Sequence, residues 1–303
     1  MEAAIISDIR VLQATRMCQL AAAVIIIYDH VQTFNKEVSL IWNPGSVVSI
    51  LYFLNRYVGD AIILISATLF IGTSFSTEVS HVMFQFQVWG PFVSVWTTQV
   101  IMQLRIFAMY RKSKKILLLT SVGFAAEIAA IATVLVMHFD QSLTYTNEPI
   151  PGFRMCSTST IGKAFTAIYI PIFCFEFLLF ALALFVVFES MAKTKEIRGS
   201  RRLHRTMDMI VKSSTVYFFI ETSGCAVATG IYLGLPSVYI EIANAFLVAT
   251  TVVLGSRLVI NTRDFYSCPQ DMEYNSLDAW PLIHLSSGGV PTEVSVFRDS
   301  GEV

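Results

Sequence analysis

Hydrophobic residues fall into seven long stretches along the chain, separated by short polar segments. Each stretch is close to the roughly 20 mainly apolar residues that a helix needs to cross a hydrocarbon core of about 30 Å. The stretches cover residues 11–28, 46–71, 84–110, 116–137, 161–188, 211–235 and 237–260. This pattern predicts an all-α membrane protein, a bundle of seven transmembrane helices over residues 11–260, preceded by a short N-terminal segment of residues 1–10.

The last part of the chain has a different composition. Residues 261–303 lack a sustained apolar period and mix Ser, Pro and Gly with acidic residues, which predicts a disordered tail. Cys268 lies shortly after the last apolar stretch, where a juxtamembrane cysteine is a possible site of palmitoylation. The alternative is an unmodified thiol.

Composition agrees with a membrane chain, because 54% of the residues are hydrophobic and only 14% are charged. The isoelectric point near 6.5 gives no nucleic-acid signature. With the N-terminus outside, most of the 21 Lys and Arg residues fall in the inner segments. The positive-inside rule therefore predicts an outer N-terminus and a cytosolic C-terminus, and we take the plasma membrane as the expected location.

Ionisable residues interrupt the apolar stretches at Arg56, Asp60, Glu127, Glu176, Glu221 and Glu241. Arg56 lies about 15 Å along the second helix from its start, near the middle of the bilayer. A charge at that depth costs about 2.5–3.5 kcal/mol, so Arg56 needs a partner. Asp60 follows one helical turn later on the same face and is the predicted partner, with Glu221 as the second choice.

The intramembrane acids outnumber this single central base. Some of them are therefore expected to be protonated, to face water or to bind a cation. As a set spread over several helices, they predict a polar intramembrane cavity that binds an unknown small ligand. In the alternative interpretation, each protonated Glu only hydrogen-bonds a neighbouring helix, which contributes about 0.6 kcal/mol on average.

The segment from about residue 20 to residue 57 contains polar and aromatic residues in a distinctive order: Tyr28, Asp29, Thr33, Glu37, Trp42, Asn55, Arg56 and Tyr57. The order YD, T, EV, W and NRY resembles the N-terminal domain of unknown function of a basidiomycete fungal family of multi-pass membrane proteins. The segments LRIFAMYRKSKKIL and LGSRLVIN, at the inner ends of the third and seventh stretches, are similar to the same family. The resemblance implies architecture and lineage rather than an activity.

The part of this motif that follows the first stretch has a helical period of its own. Val31, Phe34 and Ile41 recur at roughly helical spacing, while Asp29 and Glu37 can face water. This pattern predicts a short amphipathic segment at the inner membrane surface. Its role is either structural support or the docking of a partner.

No enzyme, metal site or cofactor is predicted. The five histidines are scattered, and the chain has neither a Gly-rich phosphate loop nor a nucleophile elbow. The preferred hypothesis is a receptor-like protein in which a ligand enters from outside and the basic inner loops contact a cytosolic partner. The alternatives are a transporter or proton-coupled carrier that uses the acids as a relay, and a structural membrane protein with no ligand. Membrane lipids are expected partners in each case.

Overall fold

Long α-helices make up nearly all of the computed structural model, which describes residues 2–42, 46–71, 77–138, 145–146, 157–158, 165–196, 201–234 and 239–267. The helices are α1 (Glu2–Leu40), α2 (Val47–Phe53), α3 (Gly59–Ile71), α4 (Thr77–Met109), α5 (Lys114–His138), α6 (Tyr169–Glu196), α7 (Arg201–Gly234) and α8 (Ile240–Ser267). A bilayer core contains no water to bond free backbone groups, so long apolar segments satisfy their backbone within helices.

Short elements of other types join some of these helices. The π-helical turn Leu54–Val58 connects α2 to α3, and the 3-10 turn Phe165–Ile168 leads directly into α6. Between α5 and α6, the two-residue strands β1 (Tyr145–Thr146) and β2 (Ser157–Thr158) pair antiparallel, with Tyr145 opposite Thr158.

Seven helical segments of the described residues are long and apolar enough to cross a membrane, as predicted. They are Ile9–Leu40, Val47–Ile71, Trp89–Met109, Lys114–Met137, Tyr169–Glu189, Ser214–Gly234 and Glu241–Asp264. The second span consists of α2, the π-turn and α3. Helix α8 packs against α1, α4 and α7, and α6 packs against α7. This arrangement places α8 between α1 and α3 on one side and α7 on the other.

The first span is longer than predicted. Helix α1 continues through Leu40, because the chain between Tyr28 and Leu40 contains no helix-breaking residue. Asp29 and Glu37 are 3% and 0% exposed, whereas Val31 is 72% exposed. The predicted amphipathic segment at the membrane surface is therefore wrong: this part of α1 turns its acids toward the bundle and its apolar side chains outward.

The ends of the membrane domain also differ from the predicted boundaries. Helix α1 begins at Glu2, so most of the predicted N-terminal segment is helical. Helix α8 continues to Ser267, beyond the predicted end at residue 260. Residues 268–303, which include the candidate lipidation site Cys268 and nearly all of the predicted tail, lie outside the described residues.

Candidate functional site

Asn55, Arg56 and Tyr57 lie on the π-turn inside the second span. Such turns disturb the α-helical register locally and are frequent at functional sites. The turn is followed by Gly59, where a Cβ atom would lie only 2.3 Å from Cγ2 of Val252 in α8. Because Gly59 has no side chain, the second span approaches α8 closely, and Asn55 and Arg56 are both completely buried.

Arg56 bonds to two side chains of α1. Its Nη1 donates to Oδ2 of Asp29, and its Nη2 donates to Oγ1 of Thr33 at 2.8 Å. The predicted pair with Asp60 is present at a longer distance, with Asp60 Oδ2 4.0 Å from Arg56 Nε. The closest acid to Arg56 is therefore Asp29, and the other predicted partner, Glu221, has a different neighbour described below.

Asp29 also joins α1 to α8. Its Oδ1 accepts a hydrogen bond from Nε of Arg257 at 2.6 Å, while Nη2 of Arg257 donates to Oε1 of Gln32 at 2.9 Å. Each carboxylate oxygen of Asp29 thus faces a different arginine. The neighbouring His30 places Nδ1 2.5 Å from Oδ2 of Asp60, which is an ion pair when the histidine is protonated.

We name Asp29, Thr33, Arg56, Asp60 and Arg257 the Arg56 cluster. The charges of its two Arg and two Asp residues cancel when both carboxyls are ionised. The side chains of Arg56 and Asp29 are almost completely buried, whereas that of Arg257 is 40% exposed. A buried ion pair requires good geometry and further hydrogen bonds to offset its desolvation. The cluster therefore forms a fixed joint between α1, the second span and α8.

A second buried acid of the motif strengthens this joint. Glu37 accepts hydrogen bonds from Oη of Tyr57 at 2.6 Å, Oη of Tyr52 at 3.0 Å and Nε1 of Trp42 at 3.2 Å. Tyr28, by contrast, is largely exposed on the outside of α1. The remaining polar and aromatic motif residues thus serve mainly to bind α1 to the second span and α8.

Three glutamates lie on neighbouring helices away from the Arg56 cluster: Glu127 on α5, Glu176 on α6 and Glu221 on α7. All three are at least 97% buried, with exposed fractions of 3%, 1% and 3%. Glu176 interacts electrostatically with the other two and lies beside Gln99 of α4. Gln99 Nε2 donates to Oε1 of Glu127 at 3.2 Å. We name these four residues the carboxyl cluster.

The carboxyl cluster contains polar atoms without partners. Oε2 of Glu127, Oε2 of Glu176, Oε2 of Glu221 and Oε1 of Gln99 are all buried and make no hydrogen bond. Leaving a buried polar atom unsatisfied costs about 1–3 kcal/mol, and native proteins leave few of them. In the part of the chain that the structure describes, none of the three carboxyls forms an ion pair with a base. Protons, water or a bound ligand must therefore complete this cluster.

A row of polar contacts connects the two clusters. Thr251 Oγ1 of α8 lies 2.6 Å from Oε1 of Glu221 and 2.9 Å from the carbonyl oxygen of Leu247, so its single proton can serve either acceptor. Thr98 Oγ1 of α4 lies 3.3 Å from the carbonyl oxygen of Thr251 and 2.8 Å from Oδ1 of Asn55, so its single proton can serve either acceptor. Asn55 in turn donates to the carbonyl oxygen of Val252 at 3.0 Å. We name Thr251, Thr98 and Asn55 the link, because Asn55 directly precedes Arg56.

The structure thus divides the predicted polar site. Arg56 and Asp60 belong to one cluster and the three central glutamates to another. Glu241 lies in the first turn of α8, half-buried, where its backbone oxygen accepts from Gln19 at 3.4 Å. Sequence reasoning missed several residues that complete these clusters, namely Arg257, Gln99, Thr98 and Thr251. Their signal is a polar residue on a helix face that is otherwise apolar, which is weak for Thr and Gln.

The comparisons with known proteins concern mainly the Arg56 cluster. The family model described as "Family of unknown function (DUF6533)" matches residues 17–61, which contain every member of that cluster except Arg257. No curated protein matches the chain. This integral membrane protein therefore carries at its N-terminus a domain of unknown function, and that domain spans the contact between α1 and the second span.

Proposed function

We propose that this protein is a receptor-like seven-helix protein in which a small ligand from outside engages the carboxyl cluster. The observation that carries the proposal is the link, which connects that cluster to the Arg56 cluster. A ligand that draws Glu221 away would remove an acceptor of Thr251 and allow α8 and Asn55 to move. Asn55 shares the π-turn with Arg56, so the change would reach the joint between α1 and α8.

The orientation belongs to the same proposal. With the N-terminus outside, most of the 21 Lys and Arg residues lie in inner segments. A cytosolic partner would then bind the basic inner loops. The plasma-membrane location, the absence of enzymatic activity and the fungal lineage, which rests on the motif resemblance, are parts of the proposal as well.

Thr251→Val tests the link without altering a charge. Loss of the hydroxyl removes its hydrogen bonds to Glu221 and to the carbonyl oxygen of Leu247, and we expect faster amide hydrogen exchange in the π-turn Leu54–Val58. The measurement uses the full chain in lipid nanodiscs. Thr133→Val is the matched control, because Thr133 is exposed and bonds only to Ala129 of its own helix. Equal exchange in the π-turn of both variants would contradict the proposal.

A second candidate function is a proton-coupled carrier. On one face of α7, Ser214 and Glu221 each hold a buried polar atom without a hydrogen bond, and Tyr232 is buried against Tyr169. The three residues of α7 extend over about 27 Å, which is most of the thickness of a hydrocarbon core. Since the neighbouring groups are about 10 and 16 Å apart along the helix, a proton relay along the row would need water molecules between them. Proton flux into proteoliposomes that is lost in Glu176→Gln would favour the carrier, whereas absence of flux would leave the receptor as the better interpretation.

A further inference from the structure

The unpartnered atoms of the carboxyl cluster have a common chemistry. All four are oxygen atoms that accept hydrogen bonds: one from each of Glu127, Glu176 and Glu221, and one from the amide of Gln99. The amide nitrogen of Gln99 is already bonded to Glu127. A ligand that completes this set must therefore bring donors, and several of them close together.

The charges of the cluster favour a cationic ligand. Each of the three glutamates can carry a negative charge. Two of the described bases, Arg56 and Arg105, are buried within spans, and they are already bonded to Asp29 and Thr262. An uncompensated carboxylate inside a membrane protein is costly, so a positive charge would be stabilised there. The charge of the ligand and its hydrogen-bond donors should thus be on the same group.

A divalent metal ion does not fit this arrangement. Calcium requires six to eight oxygen ligands at about 2.3–2.6 Å, and magnesium requires near-octahedral geometry. Among the described residues, no three His, Cys, Asp or Glu side chains are arranged to hold a metal ion. An ammonium group, in contrast, carries three N–H donors and one charge on a single nitrogen, as the lysine side chain shows.

The residues next to the carboxyl cluster indicate the chemistry of the rest of the ligand. One turn outward of the glutamates on α6 and α7 lie Ile172 and Cys225, which belong to a buried apolar cluster with Phe92, Val95 and Leu247. Cys225 interacts electrostatically with the carboxyl cluster, so the two regions are adjacent. A ligand body that extends outward from the cluster would therefore contact apolar and aromatic side chains.

We infer that the carboxyl cluster binds the primary ammonium group of an amine with a small apolar or aromatic body. The inference rests on the proposed function, because it names the class of ligand for the same site. The ammonium N–H groups would donate to the free oxygens of Glu176, Glu221 and Gln99. No covalent step is involved, and binding releases protons from any carboxyl that becomes ionised.

The test uses three related probes on the full-length protein in nanodiscs. Phenethylammonium carries the charge and the donors, its N,N,N-trimethyl analogue keeps the charge without N–H donors, and phenethyl alcohol lacks the charge. Calorimetric titration should give the tightest binding for phenethylammonium. Since a hydrogen bond to a charged group contributes about tenfold to a hundredfold in affinity, the trimethyl analogue should bind at least about tenfold more weakly. Methylammonium and butylammonium complete the series with smaller and aliphatic bodies.

A pair of variants locates the binding. Glu176→Gln should weaken phenethylammonium binding by about tenfold or more. Glu189→Gln is the matched control, since it makes the same change at an exposed position of α6 and should leave the affinity unchanged. The comparison of probes on the unaltered protein does not depend on whether Glu176→Gln folds.

Two results would overturn the inference. One is equal or tighter binding of the trimethyl analogue, which would assign recognition to charge or aromatic contact alone. The other is no binding of any primary amine of the series up to its solubility limit. Neither result affects the exchange measurement on Thr251→Val, so a failure of the ammonium inference can be distinguished from a failure of the receptor proposal.

Discussion

Asp29→Asn is the sharpest test of the Arg56 cluster, because it keeps the shape of the side chain and removes its charge. Arg56 is completely buried and would lose its closest acid. Removing one partner of a buried ion pair costs about 3–5 kcal/mol, since the other charge stays in a low-dielectric site. Asp60 can compensate only in part, because its Oδ2 is 4.0 Å from Arg56 and already contacts His30.

Two control variants give the loss of stability that is expected when the broken ion pair is exposed to water. Arg257→Gln removes the other arginine that binds Asp29, but the Arg257 side chain is 40% exposed, so water replaces much of the interaction. Asp264→Asn breaks the pair with Lys36, in which both side chains are about half exposed. Exposed ion pairs contribute about 0.2–1 kcal/mol, so both changes should cost about 1 kcal/mol or less.

Thermal unfolding of the purified full chain in one detergent can rank the three variants. For a chain of this size, 1 kcal/mol corresponds to roughly 2–4 °C in the midpoint. Asp29→Asn should therefore lower the midpoint by about 6–20 °C, and each control by about 4 °C or less. A midpoint for Asp29→Asn that matches that of Arg257→Gln would refute the argument that burial sets the cost.

Further predictions concern close packing at glycines and the three hydrogen bonds to Glu37. Gly255→Ala would place a Cβ atom 2.7 Å from Nδ2 of Asn55, so it should destabilise the protein by about 1–3 kcal/mol. Gly230→Ala meets no atom within 4 Å and should be neutral or slightly stabilising; equal unfolding midpoints would contradict the close approach at Gly255. Glu37→Gln weakens bonds to three donors, so it should cost more than Tyr57→Phe, which removes one. The reverse order of unfolding midpoints would argue against a stabilising role for all three hydrogen bonds to Glu37.

The number of spans could be predicted from sequence because the bilayer imposes it. A helix must be long and apolar enough to cross the hydrocarbon core whatever its neighbours are, so hydropathy alone finds the seven segments. The end of the first span was less predictable. A polar residue such as Asp29 indicates the end of a span when its partner is unknown. In the structure, Asp29 lies inside the bundle and is paired with Arg56 and Arg257.

A signal for that burial was present in the sequence. Asp29, Thr33 and Glu37 are spaced four residues apart, which places them on one face of a continuous helix. Apolar residues at the intervening positions, such as Val31 and Val38, then face outward. The same spacing identifies which side of α1 contacts the second span, provided that the helix is taken to continue past Tyr28.

The sequence by itself determined the membrane environment, the seven helices and the ionisable residues within them. Only the tertiary structure decided which of those residues meet. Asp29 and Arg257 are 228 positions apart along the chain, and Glu127, Glu176 and Glu221 come from three different helices. The physical reason is that contacts between helices depend on the rotation and tilt of each helix. Close approaches at residues such as Gly59 and Gly255 set that rotation and tilt, and they leave no period in the sequence.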